Sequence, residues 1–352
     1  MKRCTKCILP DNYPNISFNT KGVCNICDSF ERRWSNYDWV EKKKELEKIL
    51  NKAKAKKRRY DCLVPVSGGK DSAYALYICT KVYKMKVLAV NFNNGFVSSV
   101  ASQNLSRLAK HFDADYISWG PKWSTLKQAY RTFFLKTGDF CAPCSRAITA
   151  YTYRLAFRER IPLIVLGFNP KTDNNPVELE IIDQRLFKDV MGNVISNREK
   201  KDFLVFEPIR FLIKRIDLPS YIPYIENDLT SVLDDALGEQ GGFSGQMHFD
   251  CMVSPVANWL RRRKWGFGKK TQKYSAFIRD GQMTRENALE QAEGLGADDE
   301  PENLNYFMEM LELTKDDIER AKELSALNFK HYNPKLIKVV GTLTGIIDKD
   351  YK

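Results

Sequence analysis

Apolar residues fall in four short, nearly unbroken runs, 60–66, 86–92, 114–119 and 162–167. Runs of this length, rich in valine, isoleucine and leucine, read as strands buried on both faces. Between them, apolar positions recur at helical spacing over 71–83, 97–112, 122–137 and 145–160. This alternation predicts an α/β fold with a parallel sheet covered by helices on both faces. Ahead of the sheet, 41–59 reads as a helix with a narrow apolar face of Leu46, Ile49, Leu50 and Ala53. Beyond it the pattern weakens, helical near 177–190 and mixed over 203–213 and 216–229. The C-terminal region is helical. It has a short helix at 255–260, another over 284–294, and a third opened by the capping box of Thr314 and Asp317 and running to about 327. An apolar segment at 336–347 follows.

The first predicted strand runs into Ser67-Gly68-Gly69-Lys70-Asp71-Ser72, and a helix follows. Strand, glycine turn and helix aim backbone N–H groups and a helix amino end at a phosphate. Gly68 and Gly69 let the backbone approach an anion, Ser67 and Ser72 add hydroxyl donors, and Asp71 is placed to hold a metal ion or cap the helix. The stretch is not a Walker A loop, because Val64 stands where that motif has its first glycine and no Ser or Thr follows Lys70. It resembles the PP-loop of the ATP pyrophosphatases (adenine nucleotide α-hydrolase-like fold), which split ATP between its α and β phosphates and adenylate a substrate oxygen. The ends of the first, second and fourth strands should meet in one crevice, as ligands in open α/β sheets sit beyond the strand carboxyl ends. The resemblance therefore adds Asn91, Asn93, Gly167 and Asn169 to the nucleotide-binding residues. Phe168 and Pro170 depart from the Gly-His-Asn-x-x-Asp wording common at the fourth strand end.

The 352 residues carry a formal charge of +12, which suits an anionic partner. Three histidines, His111, His248 and His331, are too few for a mechanism built on several imidazoles. No apolar run approaches the ~18 residues of a membrane span, and the first residues lack a signal-peptide core, so a cytoplasmic protein with no membrane partner is expected.

Nine cysteines in such a chain point to metal or catalysis rather than disulfides. Cys4-x-x-Cys7 and Cys24-x-x-Cys27, with sixteen residues between the pairs, form a four-thiolate set that suits structural Zn²⁺, although iron takes the same ligands. Cys141-x-x-Cys144 opens a helix, and Cys251 lies far downstream. An iron–sulfur cluster, a second zinc and a structural role are all open for these three.

Two basic stretches stand out. Lys52 to Arg59 reads as a solvated helix face or a phosphate contact. Arg261 to Lys270 interleaves cations with Trp265 and Phe267, which suits nucleic acid, the diphosphate and base of a nucleotide sugar, or a solvated helix end. The glycine-rich 238–246 reads as a mobile loop or lid. The expected divisions are a zinc knuckle over 1–35, a basic linker helix over 36–59, a PP-loop domain over 60–255 and a basic loop with a helical region over 256–352.

Two further stretches narrow the resemblance. One is Cys4-Thr5-Lys6-Cys7-Ile8-Leu9-Pro10 with the segment from Ile16 to Cys27. The other runs from Trp265 to Thr271 and from Ile278 to Ala288. With the glycine turn they resemble the N-acetyl sugar amidotransferases of bacterial lipopolysaccharide and flagellar-glycan biosynthesis. That resemblance implies ATP and Mg²⁺ as cofactors beside Zn²⁺, with Ser67, Lys70 and Asp71 as catalytic groups. The substrate would be a nucleotide-linked N-acetyl sugar, whose acetamido group becomes acetamidino. No glutaminase constellation is visible. Ammonia would come from a glutaminase subunit with a partner like the barrel subunit of the histidine-pathway synthase. Asp115 and Glu178 are candidate proton acceptors. The alternative is a PP-loop transfer-RNA sulfurtransferase holding an iron–sulfur cluster on Cys141, Cys144 and Cys251, with nucleic acid as its partner.

Overall fold

A computed structural model describes residues 2–173, 184–224, 233, 250–294 and 296–324. Its centre is a five-stranded, wholly parallel sheet of order β3-β2-β1-β4-β5, made of β1 (Cys62–Pro65), β2 (Val87–Phe92), β3 (Asp115–Trp119), β4 (Leu163–Leu166) and β5 (Lys214–Asp217). The chain winds outward from β1 to β3 and then returns to the other side of β1 for β4. The switch point therefore lies between β1 and β4, where an open sheet has its natural crevice.

The apolar runs of β1, β2 and β4 are continuous because these strands are covered on both faces, whereas β3, at the sheet edge, leaves Asp115 and Ser118 exposed. One face of the sheet, with Val64, Val66, Ala89, Val165 and Ile216, packs against α2 (Trp39–Lys54), α3 (Lys70–Tyr77) and α4 (Ser99–Phe112). The other, with Leu63, Leu88, Val90 and Ile164, packs against α6 (Cys141–Arg158). α1 (Asn25–Trp34) precedes this unit, and α5 (Trp123–Thr137) leads into α6. β4 and β5 are separated by α7 (Gln184–Met191), α8 (Asn197–Lys200) and α9 (Glu207–Leu212). β5 was not predicted from the sequence. It reads Lys-Arg-Ile-Asp, and charge on an edge strand masks the apolar signal.

The C-terminal helices are α10 (Ser254–Trp265), α11 (Lys269–Arg279), α12 (Arg285–Glu293), α13 (Leu304–Leu311) and α14 (Lys315–Arg320). Thr314 and Asp317 form the expected capping box of α14, but that helix stops at Arg320 rather than near 327. α5, α6, α7, α10, α13 and α14 share one core around Phe133, Phe134, Phe187, Trp259 and Phe307. The first and last parts of the chain also meet. Phe267 is buried among the four N-terminal cysteines and Tyr13, with Trp265 and Ile278 against them. Ile8 packs with Tyr274, Phe277 and Ala288.

α10 runs five residues past its expected end and takes in Arg261 to Lys264. Their charges are engaged within the chain. Arg261 pairs with Asp139 at 3.2 Å, Arg262 with Asp298 at 2.8 Å and Arg263 with Glu319 at 3.0 Å, while Lys264 donates to the Thr137 carbonyl at 3.0 Å. Trp265 and Phe267 pack on the knuckle core. This stretch is thus a set of internal braces. Among the described residues no helix is long and apolar enough to cross a membrane.

Gly167, just past β4, lies so close to the first turn of α3 that a Cβ would overlap the Asp71 carbonyl oxygen. Backbone cannot yield as a side chain does, so Gly167→Ala is expected to lower unfolding free energy by about 3 kcal/mol. Gly192→Ala meets nothing within 4 Å and carries only its left-handed backbone penalty, about 1 kcal/mol. Urea unfolding of the two variants checks this order.

Candidate functional site

β1 ends beside β2, and the chain then turns through Ser67, Gly68 and Gly69 into α3. Gly68 has φ +86°, and a Cβ on it would press on the Ala101 carbonyl in the first turn of α4. Gly69 is the N-cap of α3 and supplies no side-chain cap, so the amino end of α3 opens outward. Two serines brace the turn. Ser72 Oγ accepts from the Ser67 N–H at 3.1 Å and donates to the Gly69 carbonyl at 2.9 Å, and Ser67 Oγ accepts from the Gly69 N–H at 3.3 Å. The result is a pre-shaped loop whose open amide groups suit an anion.

The turn after β4 closes one wall. Asn169 is 1 % exposed, its Oδ1 accepting from the Lys171 N–H at 3.0 Å and its own N–H donating to Asp173 Oδ2 at 2.9 Å. Asn169 Nδ2 is buried without a hydrogen-bond partner among the described residues. An orphaned buried donor at a strand end is a place where a ligand acceptor fits. Asp173 also receives Lys273 Nζ, from α11. Asp250 reaches the loop from another side, its Oδ2 lying 3.8 Å from where a Gly69 Cβ would stand.

The charges inside this crevice are coupled. Burial pushes the Asp71 carboxyl up to about 6, and the carboxylates of Asp173 and Asp250 add to the rise. Burial also lowers the Lys70 ammonium, and Lys273 lowers it further. Asp71 therefore sits among groups that a divalent cation and a polyphosphate would compensate. Asp173 and Lys273 were missed in the sequence. Asp173 had a faint signal, an acid four residues beyond Asn169, whereas Lys273 is one lysine among several in its run.

Other expected residues fare differently. Asn91 is 4 % exposed, donating from Nδ2 to the Val66 carbonyl at 3.0 Å and accepting on Oδ1 from Ser118 Oγ at 3.1 Å. It ties three strands together rather than facing the crevice mouth. Asn93 is exposed at the end of β2, its Oδ1 holding the Gly95 N–H at 3.0 Å. Asp115 begins β3, at the edge of the sheet away from the crevice, and accepts from Tyr60 Oη. Glu178, the 238–246 loop and the 328–352 segment lie outside the described residues.

Cys141 and Cys144 occupy the first turn of α6, and Cys251 is bridged to Val97 in the loop after β2. The three are neighbours next to the crevice, for Cys251 follows Asp250. Burial, with the other two thiols, pushes Cys144 up to about 12, and burial with Cys141 raises Cys251 to about 11. Lys269 Nζ lies 4.0 Å from Cys141 Sγ. Among the described residues, only the four N-terminal cysteines gather three or more ligand atoms within 4.8 Å of one another. The second set is therefore not a finished single-ion site.

Cys4, Cys7, Cys24 and Cys27 are almost fully buried, with Cys4 and Cys27 sulfurs 3.9 Å apart and Cys7 and Cys24 sulfurs 3.8 Å apart. A tetrahedron with metal–sulfur bonds of ~2.3 Å has sulfur–sulfur edges of about 3.8 Å. The donor set and spacing thus fit zinc. The Cys7, Cys24 and Cys27 N–H groups point at sulfur, at 3.4, 3.2 and 3.4 Å. The knuckle is also tied to the C-terminal helices. Arg285 donates to the Cys7 carbonyl at 3.2 Å, Arg3 pairs with Glu293 at 2.6 Å, and Asn12 donates to the Trp265 carbonyl at 2.7 Å.

Two outcomes follow from this geometry. Metal analysis should find zinc bound at the knuckle, with Cys24→Ser losing it and melting at least ~5 °C lower, as expected for a destabilisation of a few kcal/mol. Asp71 binds its proton more tightly folded than unfolded, so its contribution to stability is present at low pH and is lost as pH rises through about 6. In the absence of nucleotide and Mg²⁺, Asp71→Asn should therefore gain thermal stability relative to the parent chain between pH 4 and 7. A melting series across that range reads the difference.

Residues 243–342 match the family described as LPS biosynthesis protein WbpG-like, C-terminal domain. An uncharacterized protein of Methanocaldococcus jannaschii is 23% identical over 296 residues, covering 83% of this chain and 93% of that protein. The family match includes α10, α11 and α12, the helices that brace the knuckle and carry Lys273 to the crevice. The similarity to the WbpG-like proteins of LPS biosynthesis is thus carried by this C-terminal stretch.

Proposed function

We propose that the chain is an ATP-dependent amidotransferase that converts the acetamido group of a nucleotide-linked N-acetyl sugar to acetamidino, releasing AMP and pyrophosphate. The observation that carries this reading is the open amino end of α3, set at the β1/β4 switch point and faced by a helix of the WbpG-like region. A loop of this shape suits the phosphates of ATP, as a PP-loop would, and a surface-glycan family suits a sugar substrate.

An amide carbonyl is a poor electrophile and oxide cannot leave. In the proposed chemistry the acetamido oxygen attacks the α-phosphorus, the α–β P–O bond breaks, and pyrophosphate departs with the electron pair. Ammonia then forms the C–N bond, the C–O bond breaks, AMP leaves with that pair, and nitrogen gives up a proton. The Ser67–Ser72 amide groups, Ser67 Oγ and Lys70 would stabilise the growing charge on pyrophosphate. Asp71 would hold Mg²⁺, which supplies positive charge to the phosphates when bound. Asn169 Nδ2, buried without a partner among the described residues, would donate to an acceptor on either substrate. The proposed ammonia source is a glutaminase subunit acting through a synthase-like barrel subunit, in the cytoplasm. The sulfur-transfer alternative draws less support, since the Arg261–Lys264 charges are engaged inside the chain.

The test supplies MgATP, an ammonium salt and a panel of nucleotide-linked N-acetyl sugars. Mass spectrometry should find one sugar product with NH in place of O, and Lys70→Ala should slow its formation by roughly 10²–10³-fold. A folded, metal-loaded chain that amidinates no sugar in the panel contradicts the reading.

A further inference from the structure

The crevice is not lined by the sheet domain alone. α11 lies within the WbpG-like region and places Lys273 against the turn after β4, where its Nζ meets Asp173 Oδ1 and lies 3.3 Å from Thr172 Oγ1. Asp173 and Lys273 both act electrostatically on Lys70 and Asp71, at the amino end of α3. Lys269, one helical turn earlier on the same face, extends toward Cys141 beside the crevice.

Resting on the ATP reading given above, we infer that Lys273 is a catalytic residue, a cation that the WbpG-like region inserts into the crevice to contact the ATP phosphates from the side facing the Ser67–Ser72 loop. Three observations converge on it. The first is what the crevice asks for. Two ammonium groups, Lys70 and Lys273, lie within electrostatic reach of each other beside the amino end of α3, and a polyphosphate is complementary in charge to all three. The second is that Asp173 does not need Lys273 to stay in place, because its Oδ2 already accepts the Asn169 N–H at 2.9 Å. The Lys273–Asp173 pair is thus a resting partner for the cation rather than a brace the turn depends on. The third is rigidity. Ile278 and Phe277 on α11, and Phe267 just before it, pack against the cysteine knuckle and α12, so the helix is held along its length.

In the proposed adenylation no proton passes through Lys273. The acetamido oxygen bonds to the α-phosphorus, the α–β P–O bond breaks, and the Lys273 ammonium offsets the negative charge that pyrophosphate gains. That charge is larger in the transition state than in bound ATP, so the effect falls on turnover more than on binding.

The experiment compares Lys273→Ala and Lys273→Arg with the parent chain. It reads MgATP affinity by calorimetry, sugar-dependent pyrophosphate release, zinc content and melting temperature. Lys273→Ala should lower kcat about 100-fold with zinc content retained and melting within a few degrees of the parent, and Lys273→Arg should recover to within about tenfold. Unchanged pyrophosphate release in Lys273→Ala overturns the inference, and so does a loss that tracks zinc or melting and is not rescued by arginine. A parent chain that binds no MgATP overturns the ATP reading itself, and this inference with it. A parent that binds and turns over ATP while Lys273→Ala matches it overturns only the role of Lys273.

Discussion

The crevice exists because no side chain stands at residue 167. The turn after β4 and the first turn of α3 approach until only hydrogen fits between Gly167 and the Asp71 carbonyl. That contact fixes where α3 begins, and with it the direction of the amide groups at its amino end. It is reinforced from the other side by Gly68, whose backbone lies against Ala101 in α4. Three elements thus meet around a loop of six residues, and the parallel order of the sheet decides that they meet at the switch point. Polar residues then enter from separate parts of the chain: Lys70 and Asp71 from the loop, Asn169 and Asp173 after β4, Asp250 ahead of α10, and Lys273 from α11.

The knuckle governs the last of these. Its four sulfurs define a small hydrophobic centre with Tyr13, Phe267, Trp265 and Ile278, and the Cys4 and Cys7 carbonyls take the Arg285 guanidinium. Arg279, at the end of α11, exerts its positive charge on Cys7. A metal bound by four thiolates carries excess negative charge, which this cation offsets. The two segments whose wording most narrowed the family resemblance, at opposite ends of the chain, are therefore two sides of one packed unit. That unit aims the 269–273 turn of α11 at the crevice, so a four-cysteine cluster away from the crevice bears on how it is lined.

Sequence legibility followed the physics of each feature. β1, β2 and β4 were readable because burial on both faces leaves continuous apolar runs, and β3, half-covered at one edge, by its aromatic and β-branched residues, whereas the other edge strand β5 carries Lys214, Arg215 and Asp217 and hides. The Cys-x-x-Cys pairs and the Ser67–Ser72 loop were readable because their chemistry needs fixed local spacing. Asp173 and Lys273 were not, since they meet across 100 residues and only the fold brings them together. The Arg261–Lys264 run misled for a different reason. A cation looks the same in a sequence whether it faces solvent or an aspartate, and its acids, Asp139, Asp298 and Glu319, are distant. Asn91 shows the reverse error, an amide at the correct strand end whose hydrogen bonds close within the sheet.

The central claim is that this crevice breaks ATP between its α and β phosphates in response to a sugar. Phosphorus NMR of the purified chain with MgATP, ammonium and the nucleotide-linked N-acetyl sugar reports directly which bond is cut. The account predicts AMP and pyrophosphate in equal amounts, formed only when the sugar is present. ADP with orthophosphate, or cleavage indifferent to the sugar, would contradict it.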